Sequence, residues 1–412
     1  MHELVLRDLD LIRPARWGRV RALAGVVAWQ VEGEEGGPVE PVSVYLHEIT
    51  ARGMAGGTVR SYAYALLRWW RFLRAVDVRW DSATPAEGRD FVLWIQQARK
   101  DVADRRKVSA ATAGTINPVT RKPYPGDDFK AATIRHSNAV VRSFYEFWIE
   151  QGLGPLINPM PRDRPGRPNA HRTPMQPFRP EGKLRYNPAK PQRHPRAMPD
   201  ELWLKLFGAM PSNRDRAILA LDISNGARAS ELLGLRGSDV DWGNQLVQVV
   251  RKGTRASQWL PASPDAFVWL RLYFNDVGTP GPADPVWRTL RRRRRGDTEL
   301  ARQALSYDAW RAVLRRVNGK LGTNWAMHDL RHTCAIRMIR DRRLSITDVQ
   351  HILGHKSLTT TQLYLIEDDL EVVARVREHY AGIEEGASRQ PAPVATGYDS
   401  ADLAVLFGGG VR

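Results

Sequence analysis

The sequence has only one cysteine, Cys334, and no long apolar run. A single cysteine excludes a disulfide within the chain and any zinc cluster built from cysteines, and it is typical of a protein from a reducing compartment. No stretch approaches the ~20 apolar residues that are needed to span a bilayer. Residues 1–8 also lack the apolar segment of a signal peptide. We therefore expect a soluble, cytoplasmic protein with no membrane partner.

Acidic residues are outnumbered by basic ones. The chain has 62 lysines and arginines against 45 aspartates and glutamates, a formal net charge of +17 and an isoelectric point near 10.3. Clustered basic side chains release counterions from phosphates when they bind a polyanion, so nucleic acid is the first candidate partner. A basic soluble protein from an arginine-rich proteome would have the same charge. Charge alone therefore leaves the function open.

The length of 412 residues exceeds that of a usual single domain, which predicts two folded domains. The pattern of elements predicts a mainly α protein with a small antiparallel β-sheet. We expect an N-terminal extension over residues 1–41, a helical domain over 42–157 and a linker over 158–196. A second domain follows over residues 197–385, and then a tail rich in glycine, proline and alanine over 386–412.

Two amphipathic helices dominate the first domain. One is expected to begin with Thr58 as its N-cap, and the other to begin at Thr133. The apolar face of the second helix consists of Val140, Val141, Phe144, Phe147 and Trp148. Arginines interleave with the aromatic residues, and Arg60, Arg68 and Arg142 are candidate contacts to a DNA backbone. The alternative, an aromatic core with solvated charges, is the commoner outcome for any single residue.

The linker is proline-rich and strongly basic, with Asp163 and Glu181 as its acidic residues. Prolines at this density prevent regular structure and stiffen a segment. We expect the linker to contact DNA between the two domains, and the alternative is a solvated spacer. The arginine run at residues 291–295 has the same two interpretations. The tail contains an apolar patch at residues 403–407.

The second domain contains one good strand pair. Residues 245–251 and 256–261 are rich in β-formers and flank a short turn, as a hairpin requires. The turn carries Lys252 and Arg255, and Arg255 is a further candidate DNA contact. Helices are expected near Met198, from Pro264 and over residues 307–320.

The residues with chemical potential are concentrated near the C-terminus, where His328, Arg331, His355 and Tyr364 follow one another. His328 and Arg331 are three residues apart and share one face of a helix, so one phosphate could meet both. Imidazoles and guanidiniums can hold and protonate phosphate oxygens. A phenol can serve as the nucleophile of a covalent mechanism without a metal.

The sequence also predicts how residue 355 is presented. Residues 345–348 have the capping-box pattern, apolar residues follow at helical spacing, and Gly354 supplies a C-cap. This fixes the exit direction of the chain and presents His355. Ser357 then caps another short helix, which carries Tyr364.

These residues, with an upstream arginine and lysine, resemble the catalytic set of the tyrosine recombinases, also called phage integrases. The matching positions are Arg228, Lys252, His328, Arg331, His355 and Tyr364. The resemblance covers residues 198–380 strongly and 42–152 more loosely, through a helical pattern similar to the family's core-binding domain. It implies cutting and rejoining of double-stranded DNA through a 3′-phosphotyrosyl intermediate. It also implies a homotetramer on DNA and a reaction with no metal or other cofactor. In such a tetramer, the hypothesis is that the apolar patch of the tail docks on a neighbouring subunit.

The basic residues of the set would bind the phosphate and protonate the leaving group. Arg228 and Arg331 would bind the non-bridging oxygens, and Glu231, one turn along from Arg228, would orient that arginine. Lys252 would protonate the departing 5′ oxygen. It is preferred to Arg255 because it directly precedes the glycine of the turn.

The histidines would accept the proton of the nucleophile and hydrogen-bond the phosphate. A free phenol has a pKa of about 10, so Tyr364 needs a proton acceptor as it attacks, and His328 could provide one. His355 would hydrogen-bond a non-bridging oxygen. We expect His332 to be a structural partner within its own helix.

Three other functions are compatible with parts of this pattern. A type IB topoisomerase would use similar chemistry to relax DNA without a defined site. A catalytically silent DNA-binding regulator on the same scaffold would have no need of the tyrosine. A metal-dependent nuclease could bind zinc through His328, His332 and His355, but no acidic cluster accompanies them. The basic linker and the tail favour a recombinase that moves or integrates a mobile element.

Overall fold

The computed structural model describes residues 6–100, 111–163, 182–189, 191, 195–292, 301–365, 373 and 376–381. The chain divides into two compact units, Met1–Arg193 with Asp308–Ala326, and His194–Tyr307 with Met327–Arg412. Within the described ranges, no helix has both the length and the apolar character needed to cross a membrane. The predicted class, mainly α with a small antiparallel sheet, is confirmed.

The first unit is a helical body with a two-stranded antiparallel hairpin that the sequence did not predict. Its elements are β1 (Arg19–Ala22), β2 (Trp29–Glu32), α1 (Glu40–Ala51), α2 (Gly56–Ala75), α3 (Pro85–Gln97), α4 (Ala131–Glu150) and, from later in the chain, α9 (Tyr307–Leu321). The prediction of Thr58 as an N-cap is wrong. Helix α2 begins at Gly56, because the N–H groups of Thr58 and Val59 already donate to the carbonyl of Ala55.

The core of the first unit is aromatic, as the apolar face of α4 predicted. Val140, Val141 and Phe144 are fully buried. Trp69 of α2 is also fully buried, and its indole N–H donates to the hydroxyl of Tyr145 at 3.0 Å. Aromatic side chains with satisfied polar atoms therefore hold α2 and α4 together.

The second unit surrounds a three-stranded antiparallel sheet of order β3-β4-β5. Its elements are α5 (Asp200–Gly208), α6 (Asn213–Asn225), α7 (Ala229–Leu233), β3 (Val240–Asp241), β4 (Leu246–Val250), β5 (Ser257–Pro261), α8 (Pro264–Val277), α10 (Met327–Arg340), α11 (Ile346–Leu353) and α12 (Leu358–Gln362). Val247 pairs with Leu260 across the predicted hairpin, and both side chains are fully buried. The hairpin is confirmed, and β3 extends it by one strand.

Two glycines end the helices on which the site depends. Gly226 follows α6 with φ 60°, and Gly354 follows α11 with φ 63°, the left-handed conformation that a glycine adopts without strain. The predicted capping box is present, since Ser345 and Asp348 exchange hydrogen bonds at the start of α11. Ser357 also caps α12 as predicted.

Several predictions fall wholly or partly outside the described residues. They concern the tail over 386–412 with its apolar patch, linker residues 164–181, 190 and 192–194, and residues 293–295 of the arginine run. The division at Arg193 lies near the end of the predicted linker, and α9 is grouped with the first unit. The predicted bounds of the domains stay a prediction.

Candidate active site

Glu231 binds two arginines of the site. Its side chain is 1% exposed, and each carboxylate oxygen accepts two N–H groups. The donors to one oxygen are Nη1 of Arg228 at 2.9 Å and the backbone N–H of Lys252 at 3.0 Å. The donors to the other are the backbone N–H of Arg228 at 3.1 Å and Nη1 of Arg251 at 3.0 Å. Burial raises the pKa of this carboxyl, but the N–H donors outweigh burial and leave the pKa below its ordinary value.

Arg331 lies on α10 and ties two helix ends together. It is 2% exposed, and its guanidinium donates to the carbonyls of Gly226 and Leu353, at 2.6 Å each. These bonds use two of the five N–H donors of an arginine. Burial, followed by repulsion from Arg228, lowers its pKa to about 10. On the same helix, the apolar side chains of Leu330 and Cys334 are buried.

Tyr364 follows α12 in a turn, not within the helix that was predicted to carry it. It is 9% exposed, and its hydroxyl lies 2.9 Å from Nδ1 of His332. Burial raises the pKa of the phenol, and the charge of Arg331 opposes that rise. His332 was expected to be a structural partner within its helix, and its role stays a prediction. Its ring meets His328 on the same helix, with centroids 4.2 Å apart, but it also contacts the predicted nucleophile.

His355 is presented beside the tyrosine, as the C-cap at Gly354 predicted. Its ring lies parallel to that of Tyr364, with centroids 6.2 Å apart, and its Nδ1 lies 2.9 Å from Oγ1 of Thr361. Burial first, and then the neighbouring arginines with Arg331 foremost, together lower the pKa of His355 to about 4. The imidazole is therefore neutral at physiological pH.

Lys252 occupies the tip of the β4–β5 hairpin with its side chain exposed. The turn is tight, with φ 100° at Gly253 and 57° at Arg255. Only the backbone of Lys252 is fixed to the site, through the bond to Glu231. The structure therefore places this predicted general acid on a short turn at the edge of the site.

The charges of the site do not balance. Arg228, Arg251 and Arg331 surround a single low-pKa carboxylate, Glu231. Asp222 is fully buried nearby, and burial raises its pKa well above the ordinary value, which favours its neutral form. Within the described part of the chain, the site therefore carries excess positive charge, which suits an anionic ligand.

Arg251 was not singled out from the sequence. It is 5% exposed, next to Lys252, and forms a buried ion pair with Glu231. The alternation of β4 contained the signal, since Val247 and Val249 face inward and residue 251 continues that register. A charged residue on the buried side of a strand requires a buried partner.

The predicted DNA contacts differ in their surroundings. Arg60 is exposed on α2, where its guanidinium lies over the ring of Trp29, 5.0 Å from the centroid, and Arg255 is exposed in the hairpin. Arg68 donates to a serine hydroxyl of α4 at 2.9 Å, and Arg142 donates to the carbonyl of residue 160 at 2.7 Å. The last two therefore have partners within the protein.

A metal site built from histidine, cysteine or carboxylate was also considered. Among the residues that the structure describes, no group of three such side chains is placed to hold a metal ion. His332 instead meets the hydroxyl of Tyr364, and His355 meets a threonine hydroxyl.

Sequence comparison relates part of the chain to a known family. Residues 202–371 match the model of the phage integrase family. Tyrosine recombinase XerA of Saccharolobus solfataricus is 26% identical over 195 residues, which are 47% of this chain and 58% of that protein. Tyrosine recombinase XerC of Azotobacter vinelandii is 33% identical over 199 residues, 45% of this chain and 62% of that protein. Residues 202–371 are therefore similar to the phage integrase family.

Solved structures show the same fold. An integrase of the Tn1549 transposon in complex with circular intermediate DNA has a TM-score of 0.54 at 13% identity, covering 82% of this chain and 99% of that one. A lambda integrase dimer bound to a core site has a TM-score of 0.52 at 16% identity, covering 79% and 94%. These identities support a shared fold alone. The chain spans about half to three fifths of the length of the curated relatives it matches first.

Proposed function

We propose that this protein is a site-specific recombinase that cuts and rejoins double-stranded DNA through a 3′-phosphotyrosyl intermediate on Tyr364. The observation that carries the proposal is the hydroxyl of Tyr364 at 2.9 Å from an imidazole nitrogen, in a site whose buried arginines exceed its charged carboxylates. A phenol so placed can lose its proton as it attacks, and the arginines can receive the charge that develops on phosphorus.

The substrate follows from the charge of the site. A phosphodiester carries one negative charge and two non-bridging oxygens, which a pair of guanidiniums binds through charge-assisted hydrogen bonds. We assign Arg228, whose side chain is one third exposed, to these oxygens. Arg331 is assigned to them as well, through the N–H groups that do not donate to the two carbonyls. His355 supplies a neutral N–H donor to the same phosphate, because its pKa of about 4 leaves it uncharged.

The cleavage step is a transfer of the phosphoryl group between two oxygens. The hydroxyl oxygen of Tyr364 forms a bond to phosphorus, and the bond from phosphorus to the 5′ oxygen of the leaving strand breaks. The phenolic proton goes to Nδ1 of His332, which already lies within hydrogen-bond distance. This assignment replaces His328 as the acceptor and leaves His328 beside the ring of His332. The proposal therefore includes the tautomer of His332 with an unprotonated Nδ1, to which the hydroxyl of Tyr364 donates.

Lys252 is assigned to the departing oxygen. Its ammonium is exposed at the hairpin tip, where a short turn can carry it to a bound strand, and it donates a proton to the 5′ alkoxide as the bond breaks. Reversal of the same steps rejoins DNA when a 5′ hydroxyl attacks the phosphotyrosine. The phosphotyrosyl bond conserves the energy of the broken phosphodiester, so the cycle uses no nucleotide and no metal.

The wider setting is proposed from the relatives. A lambda integrase tetramer bound to a Holliday junction has a TM-score of 0.51 with this chain, and the Tn1549 neighbour is a transposon integrase. We propose that this protein likewise acts as a cytoplasmic homotetramer on DNA and moves a mobile element by recombination. Residues 42–157 would form its core-binding domain. Arg60 and Arg255 remain candidate DNA contacts, whereas Arg68 and Arg142 are assigned to holding the first unit together.

The test uses nicked duplexes taken from the flanks of the encoding gene. A nick just beyond the scissile phosphate lets the leaving strand diffuse away, so a covalent intermediate accumulates. Wild-type protein should give an SDS-resistant protein–DNA complex and Tyr364→Phe should give none, while both bind the DNA. Binding without an adduct on fragments that contain a recombination junction would favour a silent regulator. Relaxation of unrelated supercoiled plasmid would favour a topoisomerase.

A further inference from the structure

Arg251 is a buried arginine with three separate partners in the second unit. Its Nη1 donates to Oε2 of Glu231 at 3.0 Å, its Nε donates to Oε1 of Gln258 at 2.7 Å, and its Nη2 donates to the carbonyl of Ile352. The first partner lies on α7, the second on β5 and the third near the end of α11. One guanidinium therefore joins three segments that are far apart in sequence.

Two of these partners, Glu231 and Ile352, lie next to residues that are assigned to the phosphate. Glu231 also accepts Nη1 of Arg228, so Arg251 and Arg228 share one carboxylate. Ile352 lies three residues before His355, in the last turn of α11. The backbone packs closely there, since a Cβ added to Gly354 would come within 2.8 Å of Nε of Arg251.

The second hairpin strand strengthens the same connection. Nε2 of Gln258 donates to the carbonyl of His351 at 3.0 Å, one residue before the carbonyl that Arg251 engages. Gln258 thus binds both the arginine and α11. The last turn of α11 is held to the hairpin through two consecutive carbonyls, and the turn that presents His355 follows immediately.

We propose that Arg251 is a positioning residue that holds Arg228 and His355 in register for one phosphate, through Glu231 and the last turn of α11. This inference rests on the proposed function, since the phosphate is the shared target. Arg251 itself touches no reacting atom in this assignment. Its planar fork is suited to three partners at once, which a lysine could not bind with the same geometry.

A buried ion pair can also be purely structural, so the charge of Arg251 supplies the distinguishing effect. The charged groups Arg331, Arg228 and Arg251, together with His328, act with burial to lower the pKa of His355 to about 4. The titratable phenol of Tyr364 also faces His355, with its ring parallel to the imidazole. Removing the positive charge of Arg251 makes protonation of His355 less unfavourable. The pKa of His355 should therefore rise in a neutral variant.

The experiment compares full-length Arg251→Gln and Arg251→Lys with Arg214→Gln. Arg214 is the matched control, because it is also 5% exposed and pairs with a buried aspartate, Asp215, at 2.6 Å. It lies at the start of α6, whereas the site lies at the end, about 17 Å along the helix at 1.5 Å per residue. The readouts are the melting temperature, the titration of His355 by NMR with labelled histidine, and the rate of adduct formation on a nicked duplex.

We expect Arg251→Gln to raise the pKa of His355 and to slow adduct formation on the order of 100-fold, the usual cost of a misplaced catalytic group. Arg251→Lys should keep the pKa of His355 close to that of wild type and recover only part of the rate. Arg214→Gln should lower the melting temperature about as much as Arg251→Gln does. It should change neither the pKa of His355 nor the rate of adduct formation. The inference would be overturned if Arg251→Gln and Arg214→Gln formed the adduct at equal rates and the pKa of His355 in both variants equalled that of wild type.

The two proposals can fail separately. If wild-type protein forms no adduct on junction-containing DNA, the proposed function fails, whereas the titration of His355 still decides whether Arg251 acts on it. If Arg251→Gln does not fold, the rate of adduct formation by Arg251→Lys decides. If the role of Arg251 is purely a structural charge pair, the lysine should restore the full rate. If the three hydrogen bonds of the guanidinium position the site, the lysine should restore only part of it.

Discussion

Replacing Glu231 with glutamine should dismantle the arginine cluster with a minimal change in shape. Each carboxylate oxygen accepts two N–H donors, so the amide nitrogen of glutamine must face two donors in either orientation. Hydrogen bonds to a charged group contribute about 1.5–3 kcal/mol each, and breaking a buried ion pair costs about 3–5 kcal/mol. We therefore expect Glu231→Gln to lower the free energy of unfolding by about 3–5 kcal/mol at pH 7, since these two figures describe overlapping losses.

The pH dependence of this loss distinguishes the charge from the shape. The pKa of Glu231 is lower in the folded protein than its ordinary value of 4.5. Its ionisation therefore stabilises the fold fully above pH 4.5, and this stabilisation is lost as the pH falls through the folded pKa. The difference in unfolding free energy between wild type and Glu231→Gln should be constant near neutral pH and should narrow below pH 4.5.

Urea denaturation from pH 3 to pH 8 measures this difference, and adduct formation on a nicked duplex measures the effect on the site. Asp215→Asn is the matched control, because Asp215 is 1% exposed and accepts two hydrogen bonds from Arg214 at the other end of α6. We expect the control to lose stability and to keep its cleavage rate. A Glu231→Gln protein within about 1 kcal/mol of wild type at pH 7, a typical single hydrogen bond, would refute this reasoning.

Three further results are expected from the same site. His332→Ala should slow adduct formation by about 100-fold or more with DNA binding unchanged, the usual range for a general base, and the loss should shrink at high pH, where Tyr364 ionises without help. Lys252→Ala should lose cleavage of normal DNA and regain it on a strand with sulfur in place of the 5′ oxygen, because a thiolate, with a pKa of about 8.5 for its thiol, leaves without a proton. Gly354→Ala should be less stable than Gly322→Ala, since the two glycines have φ of 63° and 64°, but of the two only Gly354 would bring the new Cβ against a side chain, as melting temperatures would show.

The sequence predicted the local parts of the site because their signals are local. The capping box at Ser345, the left-handed glycine at 354 and the serine cap at 357 each depend on a few neighbouring residues. They were sufficient to predict that His355 and Tyr364 are presented by consecutive short elements. The β4–β5 hairpin was predictable for the same reason, from two runs of β-formers around a turn.

The parts that the sequence did not reveal depend on contacts between distant segments. Arg251 reaches Ile352 across 101 positions, and Arg331 reaches Gly226 across 105. Spacing within one helix explains the shared face of His328 and Arg331, but it does not show that His332 is the imidazole beside Tyr364. The β1–β2 hairpin was missed because each strand has four residues, and β1 is largely exposed and basic.

Peptide mapping of the trapped adduct would decide whether Tyr364 is the nucleophile. Wild-type protein is incubated with a nicked duplex, the DNA is digested to a short stub, and the modified peptide is sequenced by mass spectrometry. We predict a nucleotide joined through its 3′ phosphate to Tyr364, with a free 5′ hydroxyl on the released strand. A stub on another residue, a linkage through a 5′ phosphate, or no stub despite confirmed binding at the junction would contradict the proposed chemistry.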